Sequence, residues 1–341
     1  MVDYDLKGKK ILVTGATGFI GGQVTKRLLK EGMQVRAMAR TPAKAGFLAG
    51  RGAEVIYGDM TDAASLRNAV QGCQFVFHFA AAMRRGFQPD SYYRAVNVEG
   101  TRILAEAALD ANVERFIHTS SVWVFGLDAV QNTSENSLRH PSREFYCDTK
   151  LEGENVIRAL IKERSLPAVI IYPTVVYGPY DDTWTMESIK LIQQGKMVLA
   201  SGGTGILNPI FIDELVDGIL AAARHGVIGE GYILGGLENV TVREFEENLA
   251  RIAGRERLAS LPAWLTMTIA TLAEWEANIF HHPPFAHREG VRGMIMHATY
   301  NLNKAKRDLG FEAHTDLSTG MHRVQEWLVH TGRISPTSVS M

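Results

Sequence analysis

Lys9-Lys10-Ile11-Leu12-Val13-Thr14-Gly15-Ala16-Thr17-Gly18-Phe19-Ile20-Gly21 is the stretch whose reading decides the fold. A charged pair leads into a short apolar run, the pattern of a central parallel strand buried on both faces. The run breaks at Gly15, and apolar residues at Phe19, Ile20, Val24, Leu28 and Leu29 then predict a helix. Three glycines therefore fall on a strand-to-helix turn. Gly15 permits the tight turn, Gly18 allows a pyrophosphate to approach the backbone, and Gly21 lets the helix pack on the strand. The helix N-terminus offers free N–H groups and the positive end of its dipole to phosphates. An ordinary Gly-rich turn is the plainer alternative, but the position between strand and helix favours dinucleotide binding.

The spacing is G-x-x-G-x-x-G, and TGATGFIG resembles the glycine motif of the short-chain dehydrogenase/reductases, in particular their extended, epimerase-like branch. The resemblance implies an α/β fold, a Rossmann-type doubly wound parallel sheet with a smaller C-terminal substrate-binding domain. It implies that residues 1–178 bind NADP, that 205–235 return to that domain, and that 179–331 mainly bind substrate. A polar tail, 332–341, lies outside the match. Thr17, Phe19 and Ile20 join the three glycines in the implied cofactor site.

Composition narrows the function classes. With 341 residues and 46% hydrophobic content, the chain can bury the core of one large or two modest domains. A net charge of −1 provides no basic field for nucleic acid. Cys73 and Cys147 are the only cysteines, so neither a disulfide framework nor a metal site is expected. The charged start MVDYDLKGKK lacks the apolar core of a signal peptide. Leu261–Ala273, the most apolar later stretch, is too short to span a bilayer. A soluble cytoplasmic protein acting on a small molecule is expected, with a homodimer kept as its oligomeric partner state.

The second strand, Gln34 to Arg40, ends where NAD enzymes usually place an acid for the ribose hydroxyls. Arg40 stands there instead, with Lys44 one turn on. A guanidinium grips a 2′-phosphate that an acid would repel, so NADP is favoured and NAD is the alternative. Ala53–Tyr57 predicts a third strand, and Asp62 an N-cap for a helix over 63–70. The resemblance aligns Asp59, followed by Met60, with an acid facing the adenine, and a plain turn residue is the alternative. Phe75–Phe79 predicts a fourth strand running into Ala80 and Ala81, small residues that leave room for a cofactor. His78 reads as a packed strand residue. Asn97-Val98-Glu99-Gly100-Thr101 resembles the family's N-V-x-G-T signature, in which the Asn supports the active site from behind.

Arg115–Thr119 predicts a fifth strand, ending in Ser120 and Ser121. Tyr146 and Lys150 follow, four apart on a predicted helix and so on one face. Bringing a tyrosine from pH 10 to neutrality needs about three units, roughly 4 kcal/mol. A cation about 4 Å away in a partly screened site supplies that much. Lys150 is therefore expected to make Tyr146 a workable acid and base. The order of glycine turn, serines at a strand end, then Tyr and Lys is similar to that of the short-chain dehydrogenase/reductases. By that resemblance Tyr146 exchanges the substrate proton and Lys150 also holds the nicotinamide ribose. Ser121 polarises the substrate oxygen, with Ser120 as the competing serine.

Pro167–Ile171 predicts a sixth strand, running into Tyr172-Pro173-Thr174-Val175-Val176-Tyr177-Gly178-Pro179. This resembles the family's R-P-x-x-V-Y-G-P stretch along the nicotinamide, which brings Pro173 and Val176 into the cofactor site; Tyr172 replaces the usual Arg. Val122 and Trp123 stand where the family's dehydratases carry an Asp-Glu pair. Pro173-Thr174 and Leu207-Asn208-Pro209 lack the donors with which its epimerases grip a nucleoside diphosphate. The pattern most resembles dihydroflavonol reductases and 3β-hydroxysteroid dehydrogenases. It implies NADP(H)-dependent interconversion of a ketone and an alcohol on an apolar substrate, for which Leu261–Ala270 is a candidate pocket wall or a buried helix. A nucleotide-sugar epimerase is the alternative, and a silent cofactor-binding regulator the remoter one. Arg84 and Arg85 read first as a solvated loop, with contact to a carboxylate or phosphate of the substrate as the alternative.

Overall fold

In the computed structural model, which describes residues 4–334 apart from 84–87, 127–130, 143 and 283, the run around Leu12 is β1 (Lys10–Thr14). β2 (Gln34–Ala39) and β3 (Glu54–Tyr57) extend the sheet on one side. β4 (Phe75–His78), β5 (Arg115–Thr119) and β6 (Ala168–Pro173) extend it on the other. The short strands β7 (Val175–Tyr177), β8 (Val198–Ala200), β9 (Ile206–Leu207) and β10 (Pro209–Phe211) lie outside this sheet. β11 (Gly231–Leu234) rejoins it beside β6. Seven parallel strands thus run β11-β6-β5-β4-β1-β2-β3. This is a Rossmann-type doubly wound sheet.

Strand periodicity feeds a core on each face. Ile11, Val13, Phe75 and Phe77 point into one, with Val24 and Leu28 of the helix Phe19–Lys30 and Leu215 of the helix Ile212–His225. Leu12 and Val76 point into the other, with Leu66, Leu104 and Ile157 from the helices Ala63–Val70, Thr101–Asp110 and Phe145–Arg164. These strands are buried on both faces, which is why they read as continuous apolar runs. Asp62 caps its helix by accepting from the N–H groups of Ala64 and Ser65, and Thr241 caps the helix Val242–Ile252. β6 runs two residues past the predicted Ile171, carrying Tyr172 wholly buried. The chain leaves β1 toward β3 and then returns to β4. That reversal opens a crevice at the carboxyl ends of β1 and β4, where such sheets bind ligands.

One expectation fails here. The run Leu261–Ala270 enters a helix, Ala263–Phe280, that neither lines the crevice nor is buried as a whole. Ala270, Ala273 and Ala277 face inward, whereas Trp264, Leu272 and Trp275 face outward. Small residues suit the packed side because they let the helix Arg288–Ile295 approach closely. Hydrophobicity alone does not reveal that the bulky residues lie on the opposite face.

Candidate active site

A single cavity of about 1120 Å³ runs along the carboxyl ends of the central strands. Gly15, Thr17, Gly18, Phe19, Ile20 and Gly21 line it at the turn after β1. Arg40, Asp59, Met60, Ala80 and Ala81 line it after β2, β3 and β4. Ser121, Tyr146, Lys150, Pro173 and Val176 line it beyond β5 and β6. Two expected residues are not in its wall. Asn97 stands behind it, and Lys44 lies exposed on the short turn Pro42–Ala45. Arg51 contributes to the wall instead, as does Lys26, whose ammonium lies 3.9 Å from the centre of the Tyr180 ring. The Arg40 guanidinium donates to the Tyr92 hydroxyl at 2.9 Å. Arg84 and Arg85 lie outside the described residues.

The glycine turn fits a nicotinamide dinucleotide. Gly15 has φ +67°, and a Cβ there would stand 2.8 Å from the amide nitrogen of Ala80. A Cβ on Gly21 would collide with the carbonyl oxygen of Gly15. Gly18 occupies the N-cap of Phe19–Lys30 without a capping side chain, and no acid sits in the first turn. Backbone donors therefore face the cavity without a competing carboxylate, as an anionic pyrophosphate requires.

Tyr146 and Lys150 occupy successive turns of the helix Phe145–Arg164. The Tyr146 ring meets Trp123 edge-on at 6.4 Å and packs against Cys147, Met296 and Ala298. Burial raises its pKa, with smaller contributions from Cys147 and the Glu289 carboxylate. The expected downward pull of Lys150 is not what governs Tyr146. The Lys150 ammonium instead donates to the Thr119 carbonyl at 2.6 Å, and desolvation disfavours the phenolate. Lys150 itself is brought down to about 8 by burial, against an opposing pull from Glu154. Cys147 is buried and its thiol pKa is raised, chiefly by burial, which makes it a packed residue and a poor nucleophile.

That depressed lysine has a stability consequence. Its charged form is disfavoured in the fold relative to a free lysine at 10.5. The cost is fully present below about pH 8 and disappears as pH rises through the unfolded value. At about 1.4 kcal/mol per unit, Lys150→Met should stabilise the protein by roughly 2–3 kcal/mol at pH 7. The gain should shrink toward zero near pH 10.5. Urea unfolding at pH 7 and pH 10 checks both the sign and the trend.

Behind the cavity lies an ionic cluster that the sequence reading missed. Glu154, wholly buried one turn beyond Lys150, accepts from Arg139 Nε at 2.7 Å and Arg158 Nε at 2.8 Å. The Tyr172 hydroxyl donates to the same oxygen at 2.7 Å, and Ser120 Oγ donates to the other at 2.6 Å. Ser120 is thereby committed to the carboxylate, whereas Ser121 retains a half-buried hydroxyl on the cavity wall. The Asn97 side chain bridges to Ala82 in both directions, at 2.7 and 3.0 Å, and donates to Thr149 Oγ1 at 3.1 Å. It thus ties the end of β4 to the helix between Tyr146 and Lys150. Gly153 allows this approach, since a Cβ there would collide with the Asn97 carbonyl oxygen. His78 is packed between Thr14 Oγ1 at 2.8 Å and Thr101 Oγ1 at 2.9 Å, and burial holds it neutral, with its pKa near 3. A glycine inside a helix and a Glu at i+4 from the Lys were the available signals.

Sheet, switch-point cavity and glycine turn define a dinucleotide-binding protein. The model of the NAD dependent epimerase/dehydratase family matches residues 11–235, and the chain belongs to that family. Its members are nicotinamide-dependent enzymes, and this chain is an oxidoreductase-type member of the extended short-chain branch. A putative dihydroflavonol 4-reductase of Synechocystis sp. is 31% identical, over 87% of this chain and 88% of that one. A 4-hydroxy-2-methyl-3-oxo-4-farnesyl-3,4-dihydroquinoline-1-oxide ketoreductase of Stigmatella aurantiaca is 26% identical, over 93% and 96%. The crystal structure of UDP-glucuronic acid 4-epimerase from Bacillus cereus with UDP-glucuronic acid and NAD is 26% identical, with TM-score 0.74 over 94% and 99% of the chains.

Proposed function

We propose that this chain interconverts a ketone and a secondary alcohol on an apolar or aromatic skeleton, with NADP(H) as redox partner. The bound nicotinamide supplies or accepts the hydride. Tyr146 gives or takes the proton of the substrate oxygen, and Ser121 polarises that oxygen by hydrogen bonding. Lys150 orients the nicotinamide ribose and exchanges protons with Tyr146. The observation that carries this reading is that Tyr146, Lys150 and Ser121 share one cavity with the glycine turn. Tyr146 is protonated at neutral pH, the state required of a proton donor in reduction, and burial moves its pKa further from neutrality.

Arg40 on the cavity wall supports NADP. Losing a charge-assisted contact to a 2′-phosphate removes about 1.5–3 kcal/mol. Arg40→Ala should therefore weaken NADPH at least about tenfold and leave NADH within about twofold, whereas Lys44→Ala should leave both nearly unchanged. Fluorescence titration of both cofactors checks this, and tighter NADH binding by the wild type would reject the NADP assignment.

Among the described residues, those that could grip a nucleoside diphosphate have other partners. Arg292 pairs with Glu144 at 2.9 Å and Arg288 with Glu274 at 2.6 Å. The Asn208 amide is tied to Gly236, Glu238 and Asn239. Trp123, Tyr93 and Trp184 supply ring surface to the wall. The Stigmatella relative, whose named substrate carries a farnesyl chain, supports the same reading. The Bacillus cereus epimerase supports the alternative, sugar-nucleotide epimerisation. Calorimetric titration separates the two. An apolar ketone should bind with little salt dependence, and UDP weakly with a strong one. Micromolar UDP binding that competes with turnover would favour the epimerase.

A further inference from the structure

The helix Ala263–Phe280 places Trp264, Thr268, Leu272, Trp275 and Ile279 on one face, four, eight, eleven and fifteen positions along. All five are exposed, Trp264 at 70% and Trp275 at 66%. Leu272 and Ile279 add aliphatic surface at 58% and 49% exposure. The two tryptophan rings leave on the order of 300 Å² of apolar surface in water. That alone matches the largest patch of a typical monomer, and such patches mark interaction sites.

The neighbouring polar groups are turned away from a visitor. Thr268 Oγ1 donates to the Trp264 carbonyl at 2.8 Å, and Thr271 Oγ1 to that of Met267 at 2.8 Å. Glu274 is half-buried and paired with Arg288, and half-buried Glu276 lies 2.9 Å from His282. Among the described residues, the hydroxyls beside the face are bonded within the helix and the carboxylates are paired, so the two indole N–H groups are its main donors, whereas a protein interface carries about one hydrogen bond per 100–200 Å² and a polar rim. A hydrocarbon layer requires neither. Among the described residues no helix is long and apolar enough to cross a membrane. The inner side of this one is occupied by packing of Ala270 with Met267, Val291, Met294 and Ile295.

We propose that this face docks the protein on the surface of a lipid bilayer, the helix lying in the interfacial plane with its Trp rings, Leu272 and Ile279 in the acyl boundary. An apolar seam leads inward from it. Met294 and Ile295 pack beneath the helix, and the adjoining Met296 and Ala298 pack against Trp123 and Tyr146. The seam gives docking a use, access to substrate dissolved in the membrane. That use rests on the apolar-substrate reading above; the docking does not.

The test is flotation of the full chain with phosphatidylcholine vesicles, with and without phosphatidylglycerol, beside Leu272→Glu/Trp275→Glu. The wild type should float, with its tryptophan emission shifted to the blue. The double variant should lose partitioning at least about tenfold, with NADPH affinity and melting temperature unchanged. A wild type that stays unfloated with both vesicle types overturns the proposal. So does a wild-type dimer in sedimentation that the variant splits, which would give the face to a second copy. Flotation without turnover of any apolar ketone would uphold docking and reject only the substrate reading.

Discussion

Tyr146→Phe is expected to lower turnover on the true substrate by on the order of a hundredfold or more while NADPH affinity stays within about twofold. The variant keeps the ring, and with it the edge contact to Trp123 and the packing against Met296 and Ala298. It removes only the hydroxyl. That hydroxyl is protonated near neutrality, and burial moves its pKa further up, which on the proposed mechanism suits it to give a proton in reduction. Each reduction leaves Tyr146 short of a proton, which on the proposed mechanism Lys150, near 8, resupplies while it is charged. The reduction rate should accordingly fall as pH rises above about 8. Steady-state rates from pH 6 to 10, with stopped-flow cofactor binding, measure all of this. Near-normal turnover by the Phe variant would remove Tyr146 from the chemistry.

Glu154→Ala is expected to cost about 3–5 kcal/mol of folding stability, enough to exhaust much of a typical domain's margin. The carboxylate is wholly buried and is shared by Arg139, Arg158, Tyr172 and Ser120. Without it, two guanidinium groups face each other across Tyr172 with no carboxylate between them, and that penalty exceeds the value of any one bond. Glu154→Gln preserves shape and one acceptor and should lose roughly half as much. Because Glu154 raises the pKa of Lys150, the Gln variant should also move the alkaline limb of the pH–rate profile to lower pH. Urea midpoints and that limb are separate readouts. An unchanged midpoint in the Ala variant would mean that water solvates the cluster.

Much of the fold was legible because local signals agreed with one another. β1 is apolar, flanked by charge and closed by Gly15, and the caps Asp62 and Thr241 begin their helices as their side-chain chemistry predicts. What escaped was set by rotamers and by distant partners. Four-residue spacing places Lys150 beside Tyr146 along the helix but cannot say that its ammonium turns to Thr119. Tyr172 read as the loss of an arginine. The fold places that phenol within 2.9 Å of Arg139 and 2.6 Å of Arg158, guanidinium groups brought from other elements. Arg51, beyond the turn that carries Lys44, reaches the cavity because the chain doubles back there. Leu261–Ala270 shows the same limit, since an apolar run does not announce which of its residues will face water.

The sheet order also bears on how the protein is made. β6 ends at Pro173, but its outer neighbour β11 begins only at Gly231. At roughly 5–20 residues per second, a ribosome takes several seconds to bridge that interval. Throughout it, β6 pairs with β5 on one side only, and the amide and carbonyl groups on its other edge have no strand to pair with, on a segment whose side chains are all destined for the interior. Nascent chains halted in that window present an open, apolar edge, and newly made copies on one messenger present it to one another. The demand for chaperone protection should therefore peak after β6 emerges and fall once Gly231–Leu234 has cleared the exit tunnel.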